Sequence, residues 1–304
     1  MVYPSIDFEW TPGQTALCYI VFWRDQLPGE LALEYWTNPH ATLVCRSGGI
    51  HQYRTHMLDV ERTGCWPQLD GVQTSFPAAW RPDGIAEATV LNTSAFAPSP
   101  LMESVLNDEQ NFLRRGLAYF TRPNGSVWHR QELTPCTADL HRSETRIIAL
   151  IRPRIGAPKD AFADFIQKEL VGAITRNNDI VETKTMVFAP YNENVWPSVG
   201  LSHEHPEGLR YHAAVIVAGC NRTAVATMFR SAAFQATHAR QSELFECLHS
   251  IEVKNTVFMV ENGKLQTPAL RGFAIAQILS QVGATSQTEE PVLSQVLAPP
   301  KAQA

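Results

Sequence analysis

The chain predicts an α+β fold made of two tandem ferredoxin-like repeats, each a β-α-β-β-α-β unit with a four-stranded antiparallel sheet and two helices on one face. Three observations lead there. Runs of strand length, apolar throughout or alternating, recur along the chain. Segments of helical period with start signals fall between them. The order of the two kinds is the same in residues 1–140 and 141–284, which makes these the two expected repeats, the second with an added C-terminal helix.

Thr15 to Trp23 is an apolar run suited to a buried strand. A helix starts at Leu27-Pro28-Gly29-Glu30, with proline at its first turn and glutamate just inside. Leu31, Tyr35 and Trp36 recur at helical spacing. Pro39 is expected to break this helix, because it lacks an N–H and its ring clashes with the preceding turn. Asn38 would then cap a second segment and place His40 at a bend. Ile50 to Met57 is a more polar strand, followed by a Pro-, Gly- and Trp-rich loop over roughly 60–80. Asp83 to Leu91 is the third strand. Ser99-Pro100-Leu101 opens a helix carried through Val105, Leu106, Glu109 and Leu113, and Gly125 to Arg130 is the fourth strand.

The second unit begins with the strand Arg146 to Arg152. A helix opens at Ala157-Pro158 and runs through Phe162, Phe165, Ile166, Leu170 and Ile174. Strands follow at Ile180 to Phe188 and Gly208 to Val217, then a helix at Ala224 to Phe234 and a strand at Ile251 to Val260. Asn262-Gly263 marks a turn, Pro268 to Val282 an extra helix, and residues 285–304 a disordered tail. Each sheet leaves one face bare, and packing the two bare faces together is the simplest cover.

Composition narrows the function classes. With 304 residues, 44% hydrophobic content and a net charge of −5, the chain has room for sizeable cores and no basic excess to attract nucleic acid or an anionic membrane. No apolar run spans a membrane, and the stretch from Met1 to Asp7 lacks the basic start and apolar block of a signal peptide, so a cytoplasmic location is expected. The six cysteines lack metal-site spacing and are expected to be reduced. Hydrolase, phosphate-loop and dinucleotide signatures are absent.

The stretch from Phe22 to Leu58, followed by Asp83 to Leu91 and by a helix with Leu106-Asn107-Asp108-Glu109-Gln110-Asn111-Phe112-Leu113-Arg114-Arg115-Gly116, resembles the EthD-like branch of the dimeric α+β barrel superfamily. The matching positions are Trp36 and His40 on the first helix, Gly49 and Tyr53 entering the second strand, and Asp83, Gly84 and Glu87 on the third. The likeness covers about 15–132. The second unit matches in element order only, with Phe165 to Leu170 where the Trp-His pair would fall. The resemblance implies a fused two-repeat barrel with one retained site and a pocket between sheet and helices. It also implies relatives that include cofactor-free cyclases, dehydratases, isomerases, decarboxylases and oxygenases, and some haem enzymes. Fold alone does not choose among them.

His40 is the candidate general acid or base, since imidazole titrates near neutrality. Its rival role is a helix-end histidine bonded to a backbone carbonyl. Tyr53 is the candidate donor to a substrate carbonyl or oxyanion. Trp36, one turn before His40, would wall the pocket. Alternation sets His51, Tyr53 and Thr55 on one strand face and Gln52, Arg54 and His56 on the other, unless a bulge near Gly49 alters the count. The Tyr53 face is the expected pocket face. Glu87 faces away from Ala86 and Ala88 and is as suited to pairing an arginine as to catalysis. Arg210 and Tyr211 could reach a shared cavity. His203 and His205 flank Glu204 without a third ligand, and nothing beside His238 or His249 marks a haem ligand.

The expected function is therefore a cofactor-independent enzyme, without metal, acting on a small aromatic or polyketide-like ketone. His40 and Tyr53 would be catalytic, and Trp36, His51, Glu87, Arg210 and Tyr211 would bind substrate. The chemistry would be dehydration, cyclisation or decarboxylation through an enolate. Cofactor-free oxygenation and a non-catalytic binding or structural role are the alternatives. Edge strands and the C-terminal helix leave room for a homodimer.

Overall fold

The computed structural model describes residues 16–46, 49–90, 100–132, 144–270, 278–279, 281–284 and 286. β1 (Ala16–Trp23) is buried almost throughout, as its unbroken apolar sequence requires of a strand covered on both faces. It is followed by α1 (Gly29–Tyr35), α2 (Ala41–Cys45), β2 (Ile50–Thr63), β3 (Gly84–Val90), α3 (Pro100–Asp108) and β4 (Leu113–Gln131). After residue 144 come β5 (Thr145–Pro153), α4 (Lys159–Asp164), α5 (Val171–Thr175), β6 (Ile180–Phe188) and β7 (Ala213–Gly219). α6 (Arg222–Arg230), α7 (Ala232–Gln235), α8 (His238–Leu244), β8 (Phe245–Glu261) and the short β9 (Lys264–Leu265) complete the order.

The strands run β2-β3-β1-β4-β6-β7-β5-β8, and β8 pairs back onto β2 to close an eight-stranded antiparallel barrel. The two four-stranded sets thus meet edge to edge. β4 makes one junction by length: its first part pairs with β1 through Phe120, and its continuation pairs with β6 from Thr121 to Gln131. β8 does the same, pairing with β5 up to Val253 and with β2 up to Val260. Closure removes the exposed hydrogen-bonding edges that an open sheet would present.

Alternation then divides the core into three. Cys18, Ile20, Ile85, Leu117, Ile148, Leu150, Met186, Ile216 and Ile251 fill the middle of the barrel. The opposite faces of the same strands pack outward under helices, as one cluster around Tyr19, Trp36 and Phe112 and a second around Ile147 and Ile151, with Phe165 and Phe245. Each outer cluster is completed from the other half of the chain. Trp66, Leu69 and Val72 of the β2–β3 loop pack onto the second cluster, while Val195 and Trp196 of the β6–β7 loop pack onto the first.

Several local expectations are revised. β4 and β8 start twelve and six residues earlier than alternation alone indicated, because one strand serves two neighbours. The helix expected over Ala224 to Phe234 breaks at Ser231, whose hydroxyl caps α7, and α8 was not foreseen. Pro39 does not end the first helix. Trp36–His40 forms one wide π-helical turn that carries the chain from α1 into α2, and Asn38 has helical dihedrals rather than those of a cap. Asn38 Nδ2 instead donates to the Glu34 carbonyl at 2.9 Å and the Thr37 hydroxyl to the Leu33 carbonyl at 2.8 Å, supplying donors beside the N–H that proline lacks. Phe165–Leu170, between α4 and α5, makes a wide turn too and contains no proline. The turn is thus a feature of both positions, and Pro39 is accommodated by it.

Of the expected C-terminal helix, Thr267–Leu270 forms a 3-10 turn and most of the remainder lies outside the described residues, as does the tail 285–304 apart from Ser286. No helix among the described residues is long and apolar enough to cross a membrane. Cys18, Cys45 and Cys247 are buried, and no disulfide joins the described cysteines.

Candidate active site

The wide turn places His40 on the inner side of the first helical layer, 4% exposed, with its ring 4.8 Å from that of Phe112. Its Nδ1 lies 2.9 Å from Asp108 Oδ2. Asp108 sits at the last turn of α3 and is 1% exposed. Its other oxygen accepts from the Tyr35 hydroxyl at 2.5 Å and from Asn111 Nδ2 at 2.9 Å. A carboxylate that already accepts from two donors holds the imidazole as the Nδ1–H tautomer, which leaves the Nε2 lone pair to act. Nε2 has no hydrogen-bond partner among the described residues.

Glu109 is the next residue and is also buried. Trp196 Nε1 donates to its Oε1 at 3.0 Å, the Tyr19 hydroxyl donates to Oε2 at 2.6 Å, and Ser198 Oγ makes a short contact with the same oxygen. Burial raises the Glu109 carboxyl above its ordinary value, against the opposing pull of His40, Ser198, Tyr19 and Trp196. Tyr19 reaches Glu109 across Gly116, where a Cβ would lie 1.9 Å from the hydroxyl. Only glycine leaves that path open.

Trp36 is 1% exposed and lies over Gly84, where a Cβ would come within 2.7 Å of its ring. This contact is the physical content of the spaced Trp36 and Asp83-Gly84 positions, since Asp83 in turn accepts from the Trp23 backbone at 2.8 Å. Trp23, Tyr35 and Phe112 complete an aromatic wall, with ring centroids 5.3 to 6.1 Å apart. Tyr53 lies on the same helix-facing side of the sheet, two positions along β2 from Thr55 and opposite Ala88 of β3. Burial, with Cys45 and Glu109 nearby, raises its phenol well above the usual value, so it remains a donor. Its hydroxyl has no hydrogen-bond partner among the described residues. No hydrogen bond joins His40 to Tyr53.

The remaining expected residues are elsewhere. His51 lies at a bulge, where the β2–β3 register slips between Ile50 and Gln52, and is partly buried. Glu87 points into the barrel and is fully buried, with Lys184 Nζ at 2.7 Å and His56 Nε2 at 3.5 Å. Burial alone would raise its carboxyl, but Lys184, His56 and Arg54 hold it well below the ordinary range. Around it Arg54 pairs with Glu182 and Glu261, and Arg146 pairs with Glu182. Arg54 also lies between the rings of Trp128 and Phe258. Arg210 and Tyr211 lie at the opposite end of the barrel. The structure thus places His40, Trp36 and Tyr53 on the helix-facing side of the sheet, Glu87 and Tyr211 inside the barrel, and Arg210 over Tyr191.

Sequence reasoning missed Asp108, Glu109, Tyr35, Tyr19 and the Trp196 loop. The adjacent acidic pair at a helix end was a visible signal, whereas the partnership of Trp196 and Ser198 with Glu109 spans nearly ninety positions. No group of three or more His, Cys, Asp or Glu that could hold a metal occurs among the described residues.

No family model matches the chain, and no curated protein matches it. Solved structures do. A candidate monooxygenase from Fusobacterium nucleatum aligns with TM-score 0.52 at 6% identity, covering 84% of this chain and 97% of that one. A candidate monooxygenase from Lactobacillus acidophilus aligns with TM-score 0.49 at 7% identity, over 81% and 97%. An anthrone oxidase-like protein aligns with TM-score 0.47 at 8% identity, over 84% and 95%. At such identities the first of these supports the fold alone, a closed antiparallel barrel with helices packed outside it.

Proposed function

We propose that the chain is a cofactor-independent enzyme of the EthD-like branch, acting on a small aromatic or polyketide-like ketone by proton transfer at His40. The observation that carries this reading is the buried His40–Asp108 pair, with Nε2 left free beside an aromatic wall. His40 Nε2 takes a proton from the carbon next to a carbonyl, and the C–H electron pair moves into the enolate. Tyr53 donates its O–H to the enolate oxygen, and the imidazolium, steadied by Asp108, returns its proton to carbon or to a departing hydroxide. Dehydration, cyclisation and decarboxylation share that intermediate. Trp36 binds the ring of the substrate.

The chain is further inferred to be a duplicated unit, with repeats over 1–140 and 141–284. Support comes from Trp66-Pro67 and Trp196-Pro197 in matching loops. Each indole donates to the end of the other half's last helical segment, at Gln241 Oε1 (2.9 Å) and Glu109 Oε1 (3.0 Å). Leu170 stands in the second half where His40 stands in the first, so one half keeps the chemistry.

Hydrogen–deuterium exchange tests the proposal. In D2O the wild type is expected to exchange the α-protons of 1-phenyl-1,3-butanedione and related aryl diketones faster than buffer. A folded His40→Ala variant should lose that exchange by roughly a hundredfold or more. Equal rates in the two proteins would remove His40 from the chemistry. Cofactor-free oxygenation is the second reading, favoured by the aromatic wall and by the monooxygenase description of the Fusobacterium structure. Turnover that stops without oxygen would select it.

A further inference from the structure

β5 turns one arginine into each end of the barrel: Arg146, Ile148, Leu150 and Arg152 alternate inward. The Arg146 end is matched by Glu182, Glu87 and Glu261. The Arg152 end holds no interior carboxylate among the described residues. Arg152 is 7% exposed, and its Nε and Nη1 are buried without a hydrogen bond. Its nearest acid is the half-exposed Glu246, whose Oε2 lies 3.4 Å from Nε without hydrogen-bond geometry. Arg115 Nε at the rim is buried and unpartnered too, with Glu204 as the acid acting on it. His249 Nε2 is likewise buried without a hydrogen bond.

Besides Glu246, Glu204 and Arg210, the groups around these donors are aromatic. The Tyr211 hydroxyl meets His249 Nδ1 at 2.8 Å, and the Tyr119 hydroxyl meets His205 Nδ1 at 2.5 Å. Phe76 lies 4.6 Å from the His249 ring, and Trp80 stacks on His205 at 4.8 Å. Arg115 covers Trp80 at 4.1 Å, and Arg210 lies over Tyr191. Phe76, Trp80 and Tyr191 are partly exposed, so the rim is reachable from solvent. Glu246 offsets part of the Arg152 charge from the outer side but leaves the buried Nη1 without an acceptor, and an arriving carboxylate would supply one.

We infer that this end of the barrel is a binding site for a small aromatic carboxylate, held by Arg152 and flanked by Phe76, Trp80 and Tyr191. It lies on the other side of the sheet from His40 and is independent of the reading of that residue.

Calorimetric titration of the full chain with benzoate tests it. Benzoate is expected to bind saturably and benzyl alcohol not to bind. Acetate should bind more weakly than benzoate. Arg152→Gln should weaken benzoate by roughly tenfold or more, the loss of one charge-assisted hydrogen bond. Should that variant not fold, Trp80→Ala at the rim serves in its place and should weaken benzoate several-fold by about the value of a ring contact. His40→Ala should bind benzoate as the wild type does. The inference is overturned by no saturable binding, by unchanged affinity in the Arg152 or Trp80 variant, by equal affinity for acetate, or by loss of binding in His40→Ala.

Discussion

The two neutral histidines inside the barrel make stability fall with acid in a way that can be worked out in advance. Burial, with Arg210, Arg115 and Arg152 nearby, pushes His205 down to about 3, and burial with Arg152 pushes His249 down to about 4. In the unfolded chain both titrate near 6.5. Between pH 6.5 and pH 4 the unfolded state therefore binds two protons that the folded state refuses, and stability drops as pH falls through this window. Each histidine loses about 1.4 kcal/mol per pH unit, or about 2 kcal/mol from pH 7 to pH 5, so the pair loses about 4 kcal/mol. The figure is insensitive to the folded values, because both groups are still neutral at pH 5. Urea unfolding at pH 7 and pH 5, on wild type and on His205→Gln/His249→Gln, isolates the effect, since carboxylates and the other histidines cancel in the difference. The double variant is expected to be less stable at pH 7 and to lose about 4 kcal/mol less on acidification. Equal losses in the two proteins would refute the reasoning.

Three further outcomes are expected. Asp108→Asn keeps the shape but sets an amide N–H against either His40 or Tyr35; stability should fall by about 2 kcal/mol in urea, and ¹⁵N chemical shifts should show His40 losing the pure Nδ1–H tautomer. Lys184→Met strands Glu87 in the barrel and should cost about 3–5 kcal/mol, with Glu87→Gln/Lys184→Met recovering much of the loss; a double variant as unstable as the single one would mean that the pair is not the unit. Gly116→Ala drives a methyl into the Tyr19 hydroxyl and should lower stability by about 1–3 kcal/mol while breaking the Tyr19–Glu109 bond, which thermal unfolding and a crystal structure would reveal.

What could be read from the sequence followed period and small-residue placement. β1 was visible as an apolar run of strand length and β6 by its alternation, while β7 was read five residues too early because Glu207–Leu209 forms a 3-10 turn before it; the opposition of Glu87 to Ala86 and Ala88 follows from alternation alone. The Trp36, Gly84 and His40 positions were picked out by the family resemblance, and the contact of the Trp36 ring with Gly84 supplies a physical reason for two of them. What stayed hidden is what depends on long-range closure. The early parts of β4 and β8 carry mixed polarity because each strand changes neighbours midway. Asp108 and Glu109 resemble ordinary polar helix-end residues until Tyr35, Tyr19 and Trp196 arrive from distant segments. Pro39 misled for a different reason: propensity describes a regular helix, and the chain here uses a wider turn whose side chains stand in for the missing donor.

The crossing of the tryptophan loops gives the second half of the chain a voice in the first. Glu109 owes its indole and serine neighbours to residues 195–198, so a change in that loop reaches the surroundings of His40 without touching the helix that bears it. Substitutions that disturb the candidate site should therefore be sought around Trp196 as readily as around Trp36, because that loop supplies two of the three hydrogen-bond donors around Glu109.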